Sequence, residues 1–210
     1  MRLVYGTTNP AKLASMREAL LGLPLELAGL GELSPPPEVL IDESGDDPLE
    51  NAVIKARAYY AALHAPVFSC DSGLYLENLP AELQPGVHVR RVKGKSLSDE
   101  EMIAYYGGLA RRYGTLRARY RNAICLITGE GREYRSMDEA LASEPFGLAE
   151  RPCGQYQKGF PLDSLSVRLN DGRYYLELPP RERKNLISFQ GFAAFLTRCA
   201  KEEKRLGSRA

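Results

Sequence analysis

The sequence predicts an α/β protein, with its 210 residues forming one domain. Three observations carry this. The opening "RLVYGTTNPAKLASM" reads as strand, threonine-rich turn and helix. Strand-like and helix-like segments then keep alternating along the chain. No internal repeat, low-complexity tract or long Pro/Gly/Ser linker divides it.

Taken in order, residues 2–6 form a short buried strand, and Asn9-Pro10 starts a helix, with asparagine as N-cap and proline in the first helical position. Leu13, Met16, Leu20 and Leu21 follow at helical spacing. Lys12 falls in the first turn, where the helix macrodipole disfavours a cation. An anion would offset that cost: a phosphate on the free N–H groups, enclosed by the hydroxyls of Thr7 and Thr8 and the Lys12 ammonium.

A proline-rich loop leads to "IDESGDDPLENAVIKARAYYAALHAP", where Asp47, Pro48 and Glu50 have the pattern of N-cap, first helical residue and capping-box partner. Asn51 and Lys55 lie one turn apart on that helix, which ends near Pro66. "PVFSCDSGLYLENL" reads as a strand, a turn at Asp71-Ser72-Gly73, and a second short strand. Ser98 and Glu101 open the next helix with a capping box. "LRARYRNAICLITGEGREYRSM" is a hairpin turning at residues 129–131. The segment 138–157 carries no clear signal. The last helix, "SFQGFAAFLTRCA", has Ser188 as its N-cap and an apolar stripe of Phe189, Phe192, Phe195, Leu196 and Cys199, after which a charged tail beyond Lys201 is expected to fray.

Composition narrows the function classes. A net charge of +1 gives no global attraction to nucleic acid or anionic membrane, so any anion site is local. Hydrophobic content of 44% is ordinary for a globular protein, and no apolar run reaches membrane-spanning length. The four cysteines, Cys70, Cys125, Cys153 and Cys199, form no metal-binding or disulfide spacing. Cys70 reads as a small buried residue rather than a nucleophile, since neither His64 nor His88 adjoins it. With no leader-like segment, a cytoplasmic protein is expected. Arginines and tyrosines alternate in "ARRYGTLRARYRN", placing Arg117, Arg119 and Arg121 on one strand face; a solvated sheet face explains them better than nucleic-acid binding.

Lys12, the acidic loop with Glu43, and Asp71 at a strand end fit one chemistry. Ligands of α/β sheets collect at strand ends and helix N-termini. Two carboxylates beside lysines suit Mg²⁺ with a phosphate, because that ion takes one or two carboxylates and fills its shell with phosphate oxygens and water.

The order of these pieces resembles the inosine/xanthosine triphosphate pyrophosphatase family. Its T-x-N-x-x-K turn is matched by Thr7, Asn9 and Lys12. Its E-T-G-x-x-x-x-E-N-A-x-x-K-A run is matched by Glu43, Ser44, Gly45, Glu50, Asn51, Ala52, Lys55 and Ala56. Its D-D-S-G-L is matched by Cys70, Asp71, Ser72, Gly73 and Leu74, and its P-G-x-x-x-R element is resembled by Pro85, Gly86 and Arg91, with one residue more before the arginine. The resemblance implies an ITPase-like two-lobed fold with a long twisted mixed sheet flanked by helices, commonly a homodimer. It also implies Mg²⁺-dependent hydrolysis of nucleoside triphosphates to a monophosphate and pyrophosphate. In that reading Glu43 and Asp71 hold Mg²⁺, with Asp71 also orienting or deprotonating the attacking water. Lys12 and Lys55 bind the triphosphate, Thr7, Thr8 and Asn9 complete its cradle, and Ser72 and Arg91 also belong to the substrate site.

Base recognition departs from the family. For G-F-G-Y-D-P this chain has Gly159, Phe160, Pro161, Leu162, Asp163 and Ser164, which keeps Phe160 to stack on a base and Asp163 as a carboxylate. For lysine followed by S-H-R it has Lys184 and then Ser188, Phe189 and Gln190. The loss of two donors implies altered base selectivity, because a missing partner for a base edge costs about 1–3 kcal/mol. Cys70 in place of the first aspartate removes a carboxylate. The alternative is a catalytically weak or inactive nucleotide-binding protein on the same fold.

Overall fold

The structure, a computed structural model, describes residues 2–77, 79–179, 182 and 190–208. Its strands are β1 (Arg2–Tyr5), β2 (Glu26–Gly29), β3 (Val67–Leu76), β4 (Arg91–Val92), β5 (Lys95–Ser96), β6 (Leu116–Ile127), β7 (Glu133–Ser136), β8 (Phe146–Leu148) and β9 (Ser166–Val167). The helices are α1 (Pro10–Ala19), α2 (Pro48–Leu63), α3 (Asp99–Tyr113) and α4 (Gln190–Gly207). One mixed sheet runs in the order β2-β1-β3-β6-β8-β9, with β7 also pairing with β6; β4 and β5 make a separate hairpin. The chain divides into two compact units, and β3 and β6 each change unit part-way, after Asp71 and after Arg121.

In the first unit β1 pairs in parallel with β2 and β3, and β7 antiparallel with β6. The period-two alternation of side chains gives the sheet two apolar faces. Leu3, Tyr5, Phe68, Ile124 and Leu126 face Met16 of α1, Leu20 just after it, and Phe192, Phe195, Leu196 and Cys199 of α4. Ala123, Cys125 and Ile127 face Ala52, Val53 and Ala56 of α2, and Val4 and Val67 pack with Tyr59 of the same helix. Burying each large apolar side chain in such a core contributes about 1.5–3 kcal/mol. The apolar stripe expected for the last helix is therefore present over Phe192–Cys199, while Ser188 and Phe189 lie outside the described residues.

In the second unit α3 packs Met102, Tyr106, Leu109 and Ala110 onto Leu74, Leu116, Ala118, Phe146 and Leu148. The Ser98–Glu101 capping box forms as the sequence predicts. Arg117, Arg119 and Arg121 of β6 have protein partners on neighbouring segments: Glu77 at 2.9 Å, the Ser143 carbonyl at 2.8 Å and the Tyr75 ring of β3.

Four local expectations change. Asp71-Ser72-Gly73 is not a turn, because β3 continues through it as one ten-residue strand. Gly73 serves a close backbone approach: a Cβ there would lie 3.2 Å from the Gly86 carbonyl carbon, and Leu74 exchanges two backbone hydrogen bonds with Gly86. Glu50 makes no capping box with Asp47; it accepts from the Asp46 N–H, one residue earlier, while Asp47 alone caps α2. The charged tail does not fray at Lys201, since α4 runs to Gly207 with Glu203 held by Arg132 at 2.6 Å and by the Tyr134 hydroxyl at 2.8 Å. The segment 138–157 contains the 3-10 turn Glu139–Leu141 and strand β8.

Candidate active site

The first unit brings four of the predicted charged residues together from a strand, two helices and a loop. Asp71 reaches the site from the middle of β3, and Lys55 from the third turn of α2. Their side chains meet at 2.5 Å, with Lys55 only 8% and Asp71 only 9% exposed. Glu43, on the exposed loop before α2, also reaches Lys55, Oε1 to Nζ at 3.3 Å. Two carboxylates thus converge on one cation. Burial alone would lower the Lys55 pKa, but Asp71 and Glu43 outweigh it and hold the ammonium above its ordinary value.

Lys12 has the opposite balance. It is half-buried in the first turn of α1, whose Asn9 cap accepts from the Ala11 and Lys12 N–H groups at 2.9 and 3.3 Å. Thr7 Oγ1 in turn accepts from the Asn9 N–H at 3.2 Å, so Thr7 and Asn9 build the turn, whereas Thr8 is exposed. That first turn contains no acidic residue, and among the described residues Lys12 has no ion pair. Desolvation and the neighbouring Lys55 depress its pKa, more than Asp71, Cys70 and Glu43 raise it. Pro10 has no N–H and Asn9 takes those of Ala11, Lys12 and Leu13, so in place of the free N–H groups expected the turn offers an anion the Lys12 ammonium and the positive end of the helix dipole.

Asn51 is the residue missed as a member of the site, although its position four before Lys55 put it on the same helix face. It is 2% exposed. Its Oδ1 accepts from the Gly45 N–H at 2.9 Å, and its Nδ2 donates to the Gly45 carbonyl at 3.4 Å and to Asp71 Oδ2 at 3.3 Å. Gly45 must be glycine for this approach, since a Cβ would sit 2.8 Å from Asn51 Oδ1 and 2.7 Å from Glu50 Cβ.

Cys70 does not share a face with Asp71. Successive strand residues point to opposite sides, so the thiol packs toward the Tyr5–Phe68 face and shares a hydrogen bond with Tyr5. Burial pushes that thiol up to about 12, which keeps it protonated and non-nucleophilic at neutral pH.

The second unit holds the other predicted residues. Gly159, at φ +89°, precedes Phe160 and the 3-10 turn Pro161–Ser164. Phe160 and Asp163 are half-buried, whereas Pro161 and Leu162, standing where the family has glycine and tyrosine, are buried, Leu162 as part of the core. Ser72 is half-buried on β3, and Arg91 is exposed on β4. Lys184 and Phe189 lie outside the described residues; Gln190 is exposed at the start of α4 in the first unit. Among the described residues no group of three or more His, Cys, Asp or Glu side chains could hold a metal, so a metal here would rest on the Glu43–Asp71 pair. No helix among them is long and apolar enough to cross a membrane.

The dITP/XTP pyrophosphatase of Symbiobacterium thermophilum is 38% identical over 202 residues, covering 94% of this chain and 92% of that protein. Two solved structures share the fold nearly end to end. A HAM1 protein from Coxiella burnetii has a TM-score of 0.71 at 27% identity, covering 96% of this chain and 99% of the other. A nucleoside-triphosphatase / dITP/XTP pyrophosphatase from Mycobacterium abscessus has a TM-score of 0.66 at 28% identity, covering 92% and 97%. The pattern of the Ham1 family matches residues 3–196, nearly the whole chain, and the protein belongs to that family.

Proposed function

We propose that the protein hydrolyses non-standard purine nucleoside triphosphates, ribo or deoxyribo, to the monophosphate and pyrophosphate. The observation that carries this is Lys12: a half-buried ammonium with no ion pair among the described residues, in a first turn without an acid, beside a buried carboxylate–lysine pair. The names of the relatives, dITP/XTP pyrophosphatases, support the substrate class.

Asp71 accepts the proton of a water whose oxygen bonds to the α-phosphorus as the bond to the bridging α–β oxygen breaks, and pyrophosphate leaves with that oxygen. Lys12 and the positive end of the α1 dipole neutralise the phosphates. Lys55 fixes Asp71 Oδ1 at 2.5 Å and lends its charge to the phosphate oxygens. The Glu43–Asp71 pair fits a hard divalent cation, because two carboxylates already converge on a positive charge and one of them is open to solvent. We assign the metal as Mg²⁺ held by Glu43 and Asp71; it supplies charge neutralisation on the phosphate oxygens when bound. Phe160 stacks on the base and Asp163 reads its edge, with Ser72, Arg91, Lys184, Phe189 and Gln190 as the remaining substrate residues. A homodimer belongs to the same proposal, and sedimentation of the purified chain tests it.

Pyrophosphate release from a panel of common and deaminated triphosphates with Mg²⁺ tests the function. Turnover concentrated on inosine and xanthosine forms supports it, and tight nucleotide binding without turnover of any of them gives the binding-protein reading instead.

A further inference from the structure

We propose that Asn51 is a positioning residue: it clamps the Glu43 loop to Asp71 and so fixes the separation of the two carboxylates that hold the divalent cation. The inference rests on the metal assignment above and adds to it a cause for the geometry.

Glu43 is exposed and sits on a loop with no regular structure, and a carboxylate on a free loop would contribute little to a cation site. The loop is not free. Two residues on, Gly45 has both its N–H and its carbonyl held by one side-chain amide, that of Asn51. The same amide nitrogen reaches Asp71 Oδ2, while Lys55 takes the other carboxylate oxygen, Oδ1. Asp71 is thereby fixed at both oxygens by residues one helical turn apart on α2, and one of those residues also carries the loop. An amide suits this place because it both donates and accepts, which a carboxylate or an aliphatic side chain of similar size does not. Burial at 2% exposure shields these bonds from water, and the absence of a Cβ at residue 45 lets the loop come close enough to form them. Groups that orient metal ligands commonly control affinity as strongly as 10- to 100-fold.

The test is direct Mn²⁺ binding, by calorimetry and by the free-ion electron spin resonance signal, on the nucleotide-free protein. Asn51→Ala is expected to weaken Mn²⁺ binding about tenfold or more per folded molecule. Glu43→Gln should do the same, and the double variant should bind no more weakly than Glu43→Gln alone, because the clamp acts through Glu43. A purely structural role would lower the melting temperature and leave the Mn²⁺ dissociation constant of the folded fraction unchanged, or make the two effects additive; either overturns the proposal. Should Asn51→Ala fail to fold, Gly45→Ala displaces the loop from Asn51 without removing the Asn51 or Asp71 side chain. Weakened Mn²⁺ binding by Gly45→Ala then supports the clamp, and unchanged binding refutes it. If the wild type itself binds no Mn²⁺ yet turns over deaminated triphosphates, the clamp and the metal assignment fall while the function stands. If the wild type binds Mn²⁺ but turns over no nucleotide, the function falls and the clamp is judged on binding alone.

Discussion

The residues proposed for the phosphates and those proposed for the base are built differently. Asp71, Lys55 and Asn51 come from the interiors of a strand and a helix, are less than a tenth exposed, and bond to one another. Phe160 and Asp163 sit on a glycine-hinged loop and a single 3-10 turn, half-exposed, with Pro161 and Leu162 anchoring the turn in the core. The contrast separates chemistry from choice. A buried, mutually paired cluster tolerates few substitutions, since each leaves an unmatched charge, whereas a loop carried by its core anchors can change its exposed residues without disturbing the fold. On that turn the residues that differ from the family, Pro161 and Leu162, are the buried anchors, whereas Phe160 and Asp163, which are kept, are the half-exposed ones.

The sharpest way to break the comparison is at Asp71. Asp71→Asn removes the proton acceptor and is expected to lower kcat by about 10³-fold or more, with nucleotide affinity nearly kept, read by steady-state kinetics and a separate binding titration. Next is Lys55→Ala, which strands the Asp71 carboxylate in a buried place. It should cost roughly 3–5 kcal/mol in denaturant unfolding as well as activity, because the surviving partner keeps its desolvation cost.

Lys12→Met separates binding from stability. Losing its charge-assisted contact with phosphate should lower kcat/KM by roughly 10- to 100-fold, equivalent to about 1.5–3 kcal/mol. The ligand-free protein should at the same time melt higher. The pKa of this base is depressed by folding, so its charged form opposes the fold at neutral pH. That penalty fades as pH rises through the depressed pKa toward the unfolded value. The melting temperatures of wild type and Lys12→Met should therefore converge at alkaline pH, and a constant gap would contradict the assignment.

Phe160→Ala tests the base side. Loss of stacking, worth about 1–3 kcal/mol, should raise KM roughly tenfold or more and change the ranking among bases while leaving kcat close to wild type. The smallest effect is expected at Cys70. With its thiol pushed up to about 12, brief iodoacetamide treatment at pH 8 should leave that residue unmodified in the peptide map and turnover unchanged.

Much of the phosphate side is legible in the sequence because its signals are local. Asn9-Pro10 and Asp47-Pro48 specify helix starts through cap chemistry, and both caps form. Lys12 stands out because it violates a local preference, and the structure leaves it without a partner among the described residues. What stays hidden is what depends on tertiary approach. Asp71-Ser72-Gly73 reads as a turn on composition, yet Gly73 is there for the backbone of Gly86, a residue the local pattern does not reveal. Cys70 looks like a lost neighbour of Asp71 until strand pleating puts the two on opposite faces. Asn51 was visible as part of a motif, but its bonds to Gly45 and Asp71 join positions 6 and 20 residues away, beyond any periodicity. The tail beyond Lys201 looks solvated by charge alone, and it is helical because Arg132 and Tyr134 hold Glu203.

One measurement bears most directly on the account: pyrophosphate formation from dITP with Mg²⁺ by wild type and by Asp71→Asn, each shown to be folded and to bind nucleotide. The account predicts stoichiometric release of monophosphate and pyrophosphate by the wild type and a loss of about 10³-fold or more in the variant. Equal turnover by both proteins, or release of single phosphates from the γ end, would contradict it.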